Sequence, residues 1–374
     1  MLLVSFMVTA GSTFAQITLQ RNRPVFEADG KIVVMAPEEG LWSVAAGWQD
    51  DWMCDWRHAD PHKVEVVGDW TVLSGKMSFA GGQLILRDSY RQIRTGLVQC
   101  VRRYEWTGTE TLPHVTLSVR WNMPGERMMP CLPGILYYGN RNGAKVNSEI
   151  IPVYNGIDGE FAIFEEHRYP MPFVMLENAA EGYAAAVHTL PSPVRGAVLS
   201  DQWWSLGVEA KDDCSEFVLY SGPIGYNGRH SVAKALQKKP MRYADTWIDL
   251  EPGRIIEKTF YIETYSIEGE GTGFQTPVYT SMDLHRPYDA DRFPSFDEIV
   301  RGKYSFAKNR WIDLGNDAVG FNMYDSSLRK ELVMGWCGQA DSPGYSLQVL
   351  AKRLNDSQIS DMVQKSLDFL TTYE

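Results

Sequence analysis

Three stretches of this 374-residue chain gather side chains that could do chemistry. The sharpest runs from Met334 to Tyr345 (MGWCGQADSPGY), where glycines flank Trp336, Cys337 and Gln339 just ahead of a helix start. An indole for stacking, the Gln339 amide and the Asp341 carboxylate are groups that a sugar site uses. Asp341 has a plainer role open to it, capping the helix that begins at Pro343. The second stretch is Phe161 to Arg168 (FAIFEEHR), with Glu165, Glu166, His167 and Arg168 at the end of an apolar strand. Carboxylate, imidazole and guanidinium together could clasp a polyol or a uronate, the arginine gripping a carboxylate with two bonds. A solvated ion-pair cluster is the bland alternative. Leu132 to Gly139 (LPGILYYG) places Tyr138 in the same region, and Gly225 to His230 (GYNGRH) offers a further polar loop.

Tryptophan forms the third signal. Of twelve in the chain, Trp42, Trp48, Trp52 and Trp56 fall within fifteen residues, and Trp203 and Trp204 are adjacent. Neighbours on a strand point to opposite faces, so one of the Trp203–Trp204 pair is core and the other faces outward. Trp204 is a candidate platform for the C–H face of a sugar ring. Filling a large core is the competing use of so many indoles.

Other chemistries find little support. His58 and His62 would need a helix to share a metal, and Pro61 forbids a regular one. Five cysteines, none at C-x-x-C spacing, indicate neither a metal site nor thioredoxin-like exchange; one disulfide at most is expected, with buried thiols otherwise. Nucleophile-elbow, Walker and dinucleotide fingerprints do not occur, and no cofactor is indicated. A net charge of −11 without any Lys/Arg run argues against nucleic acid or an anionic membrane surface as partner.

The elements that must position these groups change type along the chain. Val64–Val67, Gln83–Arg87, Gly96–Trp106, His114–Trp121, Phe161–Glu165, Phe173–Leu176, Tyr183–Thr189, Trp203–Ala210, Glu216–Tyr220 and Arg254–Thr264 read as strands, short and β-branched or aromatic. So many strands without crossover helices predict a large antiparallel two-sheet sandwich over residues 16–267. One short helix is expected from His230 to Lys239. A linker rich in Gly, Pro and Asp follows over 268–294. Helical spacing then predicts Phe296 to about Trp311, capped by Ser295, a second helix from Ser342–Pro343 to Leu354, and a third from Asp356 to Tyr373. Met1 to Ala15 is apolar, uncharged and ends in a small-x-small pattern, which reads as an export signal and implies a secreted or periplasmic protein.

This order of parts, closing on GWCGQADSPGY, resembles the front of a secreted six-hairpin, (α/α)6-toroid glycoside hydrolase with a β-supersandwich, of the gut Bacteroidetes type. The fold class implied is mainly β, followed by a short helical region that opens a toroid. Six hairpins make such a ring and about one and a half are present, so the expectation is a truncated toroid over 295–374. The resemblance implies an oligosaccharide substrate, with uronic acids among the sugars, and hydrolysis by a carboxylate pair. Trp336, Gln339 and Asp341 become cleft candidates, and Glu166, His167 and Arg168 a contribution from the sandwich. Asp341 and Glu166 are the weak catalytic candidates. A non-catalytic sugar-binding sandwich and a polysaccharide lyase of similar layout are the alternatives.

Overall fold

The computed structural model describes residues 17–49, 52–126, 128–140, 153–191, 204–222, 224, 226–227, 230–231, 247–285, 294–322, 329–332 and 345–372. The chain divides into two compact units, Met1–Arg286 and Pro287–Glu374.

The first unit is built from antiparallel strands. In chain order they are β1 (Leu19–Gln20), β2 (Arg23–Ala28), β3 (Lys31–Met35), β4 (Trp42–Gln49), β5 (Trp52–Ala59), β6 (Lys63–Val67) and β7 (Trp70–Phe79). Next come β8 (Gly82–Arg94), β9 (Leu97–Trp106), β10 (Leu112–Pro124), β11 (Met129–Leu132), β12 (Leu136–Tyr137), β13 (Phe161–Glu165) and β14 (Phe173–Asn178). The last are β15 (Tyr183–Thr189), β16 (Trp204–Ala210), β17 (Cys214–Ser221), β18 (Tyr226–Asn227), β19 (His230–Ser231), β20 (Ile248–Leu250) and β21 (Ile255–Ser266). The first sheet runs β1-β2-β3-β10-β17-β16-β13-β18-β19, with β4 and β20 also pairing β10 and β5 pairing β4. The second runs β12-β11-β14-β15-β21-β9-β8-β7-β6. The expected mainly β, antiparallel architecture is what the chain adopts.

Alternation explains why these segments pair face to face. In β9, Val98, Cys100, Arg102, Tyr104 and Trp106 turn inward while Gln99, Val101, Arg103 and Glu105 turn out. One core fills the space between the sheets, joining Val119, Trp121, Phe164 and Leu219 of the first to Leu86, Val187, Phe260 and Ile262 of the second. Trp42 lies flat against Gly75 of β7, where a Cβ would stand 2.3 Å from the ring. Only glycine fits there.

Arg102 is the exception to an apolar core, and its surroundings neutralise it. It is fully buried, as is Asp88 beside it. Arg102 Nε donates to Asp88 Oδ1 at 2.9 Å and Nη2 to Oδ2 at 2.7 Å. Trp42 Nε1 donates to the same carboxylate at 2.8 Å, and the Tyr90 hydroxyl donates to it too. Arg102 Nη1 and the Tyr104 hydroxyl both donate to the Ser118 carbonyl, at 3.1 and 2.6 Å. The second sheet thereby grips β10, the strand at the centre of the first.

Helix α1 (Gln275–Leu284) falls inside the segment expected to be a linker. It packs through Val278 on the outer face of the second sheet, beside Phe173, Met175, Ala184 and Ala186, which is why the first unit extends to Arg286. Beneath it, Glu263 accepts from Thr280 and Arg94, each at 2.6 Å, and lies 3.0 Å from His188 Nε2. Of the helix expected over 230–239, the described residues are His230–Ser231, and they pair as a strand.

The second unit holds α2 (Phe296–Lys308), β22 (Trp311–Asp313), β23 (Val319–Phe321), α3 (Leu347–Leu354) and α4 (Ser357–Thr372). Ser295 and Glu298 form a reciprocal capping box that starts α2. Asn355, left-handed at φ 58°, ends α3. Asp356 then accepts from Ile359 N at 3.3 Å and binds Lys308 at 2.9 Å. Tyr304, Phe321, Leu347, Ala351, Ile359 and Val363 make this unit's own small core. The β22–β23 hairpin was not expected; it begins at Trp311, where the foreseen helix was to end, and α2 itself stops at Lys308.

Candidate functional site

Directly opposed residues in antiparallel strands share a face, so the pairing registers fix what the outer face of the first sheet presents. One row reads Glu165, Ser205, Tyr220, Ser118, Ser43 and His58 across β13, β16, β17, β10, β4 and β5. A second reads Ile163, Gly207, Val218 and Arg120. A third reads Phe161, Glu209, Glu216 and Asn122. Ile163 and Val218 of the second row join Tyr220 of the first, with Ala45, Met53 and Ile224, in a small buried apolar cluster, and polar and charged groups share the face with it.

They are tied to one another. Arg120 Nε donates to Glu216 Oε2 at 3.0 Å and Lys211 Nζ to Oε1 at 3.1 Å, with Glu216 fully buried. Arg120 Nη1 reaches Ser43 Oγ at 3.2 Å, and that hydroxyl lies 2.9 Å from His58 Nδ1. The Tyr220 hydroxyl donates to Glu209 at 2.6 Å. Burial and then Glu216 push the Glu209 carboxyl above its usual range. Burial, then the Arg120 charge, hold His58 below the ordinary imidazole value, so it is neutral near pH 7.

Trp48, Trp52, Trp56 and Phe161 pack against that apolar cluster, and Trp56 also meets the charged groups. Arg120 lies 5.5 Å from the Trp56 ring centre, and Trp56 meets Tyr220 at 5.9 Å. Trp52 stacks on Phe161 at 4.8 Å. Trp48 meets Trp247 at 5.7 Å and donates its indole N–H to Thr116 Oγ1 at 3.0 Å, while His114 packs on Trp247 at 4.6 Å. Trp48, Trp52, Trp56 and Trp247 are each half-buried, and His58 and His114 are exposed. Flat apolar surfaces beside convergent polar groups suit a polyhydroxylated ligand.

The residues singled out from the sequence scatter more widely. Glu166, His167 and Arg168 form one tight turn after β13. Glu166 is buried, accepting from Lys258 Nζ at 2.6 Å and Thr189 Oγ1 at 2.8 Å, so it is an inter-sheet ion pair and not an open acid. Burial lowers the Lys258 ammonium, against the pull of Glu166. Arg168 and His167 are exposed, and Arg168 Nε pairs with buried Glu165 at 2.6 Å. Glu165 shares its face with Phe161 and Ile163, which puts this turn at the end of the aromatic face. Trp204 is a correction: it is buried in the core at 1% exposure, its ring 5.5 Å from Lys258, and offers no platform. Its neighbour Trp203 lies outside the described residues. Tyr138 belongs elsewhere, beside Cys131 and Phe173 on the second sheet, its hydroxyl 3.4 Å from Glu177. Trp336, Gln339 and Asp341 lie outside the described residues, as does Arg229.

Sequence reasoning missed Arg120, Glu209 and Glu216. A polar residue at an outward strand position is ordinary, and only the register reveals that these converge. Among the described residues no group of three or more His, Cys, Asp or Glu could hold a metal ion, and no helix is long and apolar enough to cross a membrane. Cys54, Cys100, Cys131 and Cys214 are free thiols.

No protein-family model and no curated protein matches the chain. Solved structures similar to it include the Slr1438 protein from Synechocystis sp. PCC 6803, at 12% identity over 70% of this chain and 100% of that one, with a TM-score of 0.37. A heparan sulfate lyase HepC mutant from Pedobacter heparinus matches at 12% identity over 55% of this chain, with a TM-score of 0.26. A polysaccharide lyase matches at 9% identity over 73% of this chain, with a TM-score of 0.32. The chain spans 21% of the first lyase and 35% of the second. Likenesses this distant carry no functional argument.

Proposed function

We propose that the chain is a carbohydrate-active protein, the front portion of a secreted or periplasmic glycoside hydrolase acting on polysaccharide-derived oligosaccharides, uronic-acid-containing ones among them. The outer face of the first sheet is where its sandwich meets the sugar. The observation that carries the reading is the group of half-buried tryptophans, Trp48, Trp52, Trp56 and Trp247, on the face that also carries the Arg120–Glu216–Lys211 ion pairs. Asp341 stays the weak catalytic candidate that the sequence resemblance implies. One observation favours a second reading, a non-catalytic binding sandwich: Glu165, Glu166 and Glu216 are each engaged by a cation.

Binding of a panel of neutral and acidic oligosaccharides to the full chain tests both readings. Trp52→Ala and Trp56→Ala should each weaken the same interaction by about 1.5 kcal/mol, roughly tenfold, for a lost stacking surface. Unchanged affinity in both variants refutes this face as the binding surface. New reducing ends indicate hydrolysis, an ultraviolet-absorbing unsaturated product indicates a lyase, and binding without either supports the second reading.

A further inference from the structure

Glu209 and Glu216 stand directly opposite each other across the β16–β17 pairing. Side chains so placed have Cβ atoms about 4.5–5.5 Å apart, and like charges there repel. The cations of this face bond directly to one of the two and act on the other only through space. Arg120 Nε and Lys211 Nζ both bind Glu216, at 3.0 and 3.1 Å. Glu209 receives the Tyr220 hydroxyl, and among the described residues no cation pairs with it.

The other neighbours of Glu209 do not supply the missing charge. Phe161 faces it from β13 and is apolar. Tyr154 and Glu160 approach from the segment before β13, the one neutral and the other acidic. Beyond Arg120 lie Glu39, whose carboxylate is 3.6 Å from that guanidinium, and His58, which is neutral at pH 7. Burial and then the Glu216 charge outweigh the Tyr220 hydroxyl, Arg120 and Lys211, which favour the ionised form of Glu209, so a proton shared by the two carboxyl groups rests most cheaply on Glu209.

We propose that Glu209 sits on this face as a neutral carboxyl, a hydrogen-bond donor that admits an anionic sugar substituent, a uronate carboxylate or a sulfate ester. An ionised glutamate at the same place would repel that substituent. Partial exposure gives Glu209 access to a ligand lying on the tryptophan ring. The inference deepens the proposed function by naming the ligand class, and it rests on that reading of the face. It also ties affinity to pH. Anionic sugars bind best while Glu209 keeps its proton and lose affinity as it ionises; neutral sugars show no such slope.

Calorimetric titration of the full chain between about pH 5 and pH 8 tests this, using a galacturonate trimer, a sulfated disaccharide and a neutral xylose oligomer. The expected result is about a tenfold loss for the anionic ligands toward the alkaline end, with the wild-type slope abolished in Glu209→Gln, which stays neutral and keeps a donor. The trimer and the disaccharide distinguish carboxylate from sulfate. A slope that survives in Glu209→Gln, or anionic binding that ignores pH in the wild type, overturns the inference. A second readout needs no ligand: the infrared difference between wild type and Glu209→Gln should show a protonated-carboxyl stretch at pH 7. Its absence overturns the inference even where sugar binds. Its presence in a protein that binds the neutral xylose oligomer but no anionic sugar overturns the ligand class and leaves the proposed function standing, whereas binding of no sugar at all overturns that function as well.

Discussion

Replacing Asp88 by Leu removes the anion from a pair in which both partners are shut away from water. Arg102 is left with one acceptor, the Ser118 carbonyl at 3.1 Å, and the Trp42 and Tyr90 donors lose theirs. Breaking a buried pair from one side costs about 3–5 kcal/mol, because the surviving charge stays buried and uncompensated. At about 2–4 °C per kcal/mol for a unit of this size, the midpoint of thermal unfolding should fall by about 6–20 °C. Tryptophan fluorescence during heat and urea unfolding reads this directly, since Trp42 and Trp121 lie in the same core. The double variant Asp88→Leu/Arg102→Met should recover most of the loss, as apolar pairs of similar volume commonly match buried ion pairs. A single variant costing under about 1 kcal/mol, or a double variant no better than the single, would refute the account of this network.

Two further outcomes follow from local chemistry. Burial alone would raise the Glu263 carboxyl, but hydrogen bonds from His188, Thr280 and Arg94 outweigh it and hold the group below its usual range. A depressed carboxylate adds stability above its unfolded value, so this contribution is present at neutral pH and is lost as pH falls through the folded value; hydrogen exchange in α1 should accelerate on acidification below about pH 4.5, and Glu263→Gln should exchange fast at all pH. Ser295→Ala removes the hydroxyl half of the capping box and should cost α2 about 1 kcal/mol, seen as faster exchange of the Asp297–Ile299 amides with the sandwich unchanged.

The strands that the sequence delimits best are those whose apolar run is bounded by turn residues on both sides. Phe161–Glu165 and Tyr183–Thr189 match their expected limits, and both are buried along nearly their whole length. β4 and β5 were not delimited, because WSVAAGWQ and WMCDWRHA carry Ala, Gly, Asp and charge where β-formers would announce a strand. Their pairing with β10 and with each other makes them strands, which is a tertiary effect. α1 hid for a related reason. QTPVYTSMDL has Pro in its first turn and little amphipathic contrast, so the segment reads as linker. Polar Thr280 and Ser281 are buried along with Pro277, and Thr280 meets the equally polar Glu263 on the sheet. Arg102, by contrast, was legible in principle, since strict alternation through LVQCVRRYEW aims it inward.

The strand β17 shows why the outer face of the first sheet reads as a working surface rather than scaffold. A sandwich strand normally gives one face to the core and one to water, yet every residue of Cys214–Ser221 is buried. Its inward Phe217 and Leu219 need no explanation beyond the hydrophobic effect. Its outward Glu216 does, because burying a carboxylate costs several kcal/mol even when cations meet it, and an apolar residue at that position would be at least as stable. The chain instead commits Arg120 and Lys211 to holding that charge in place, with Ser43 accepting from Arg120, and sets a second carboxyl, which accepts from Tyr220, opposite it. Outward Val218 and Tyr220 are buried by packing with Ile163, Met53 and Ile224, so it is the Glu216–Glu209 pair beside them that packing leaves unexplained. Placing fixed polar groups under half-buried indoles is what recognition of a polar, ring-shaped ligand demands, and a proton retained on Glu209 would decide which of those ligands enters.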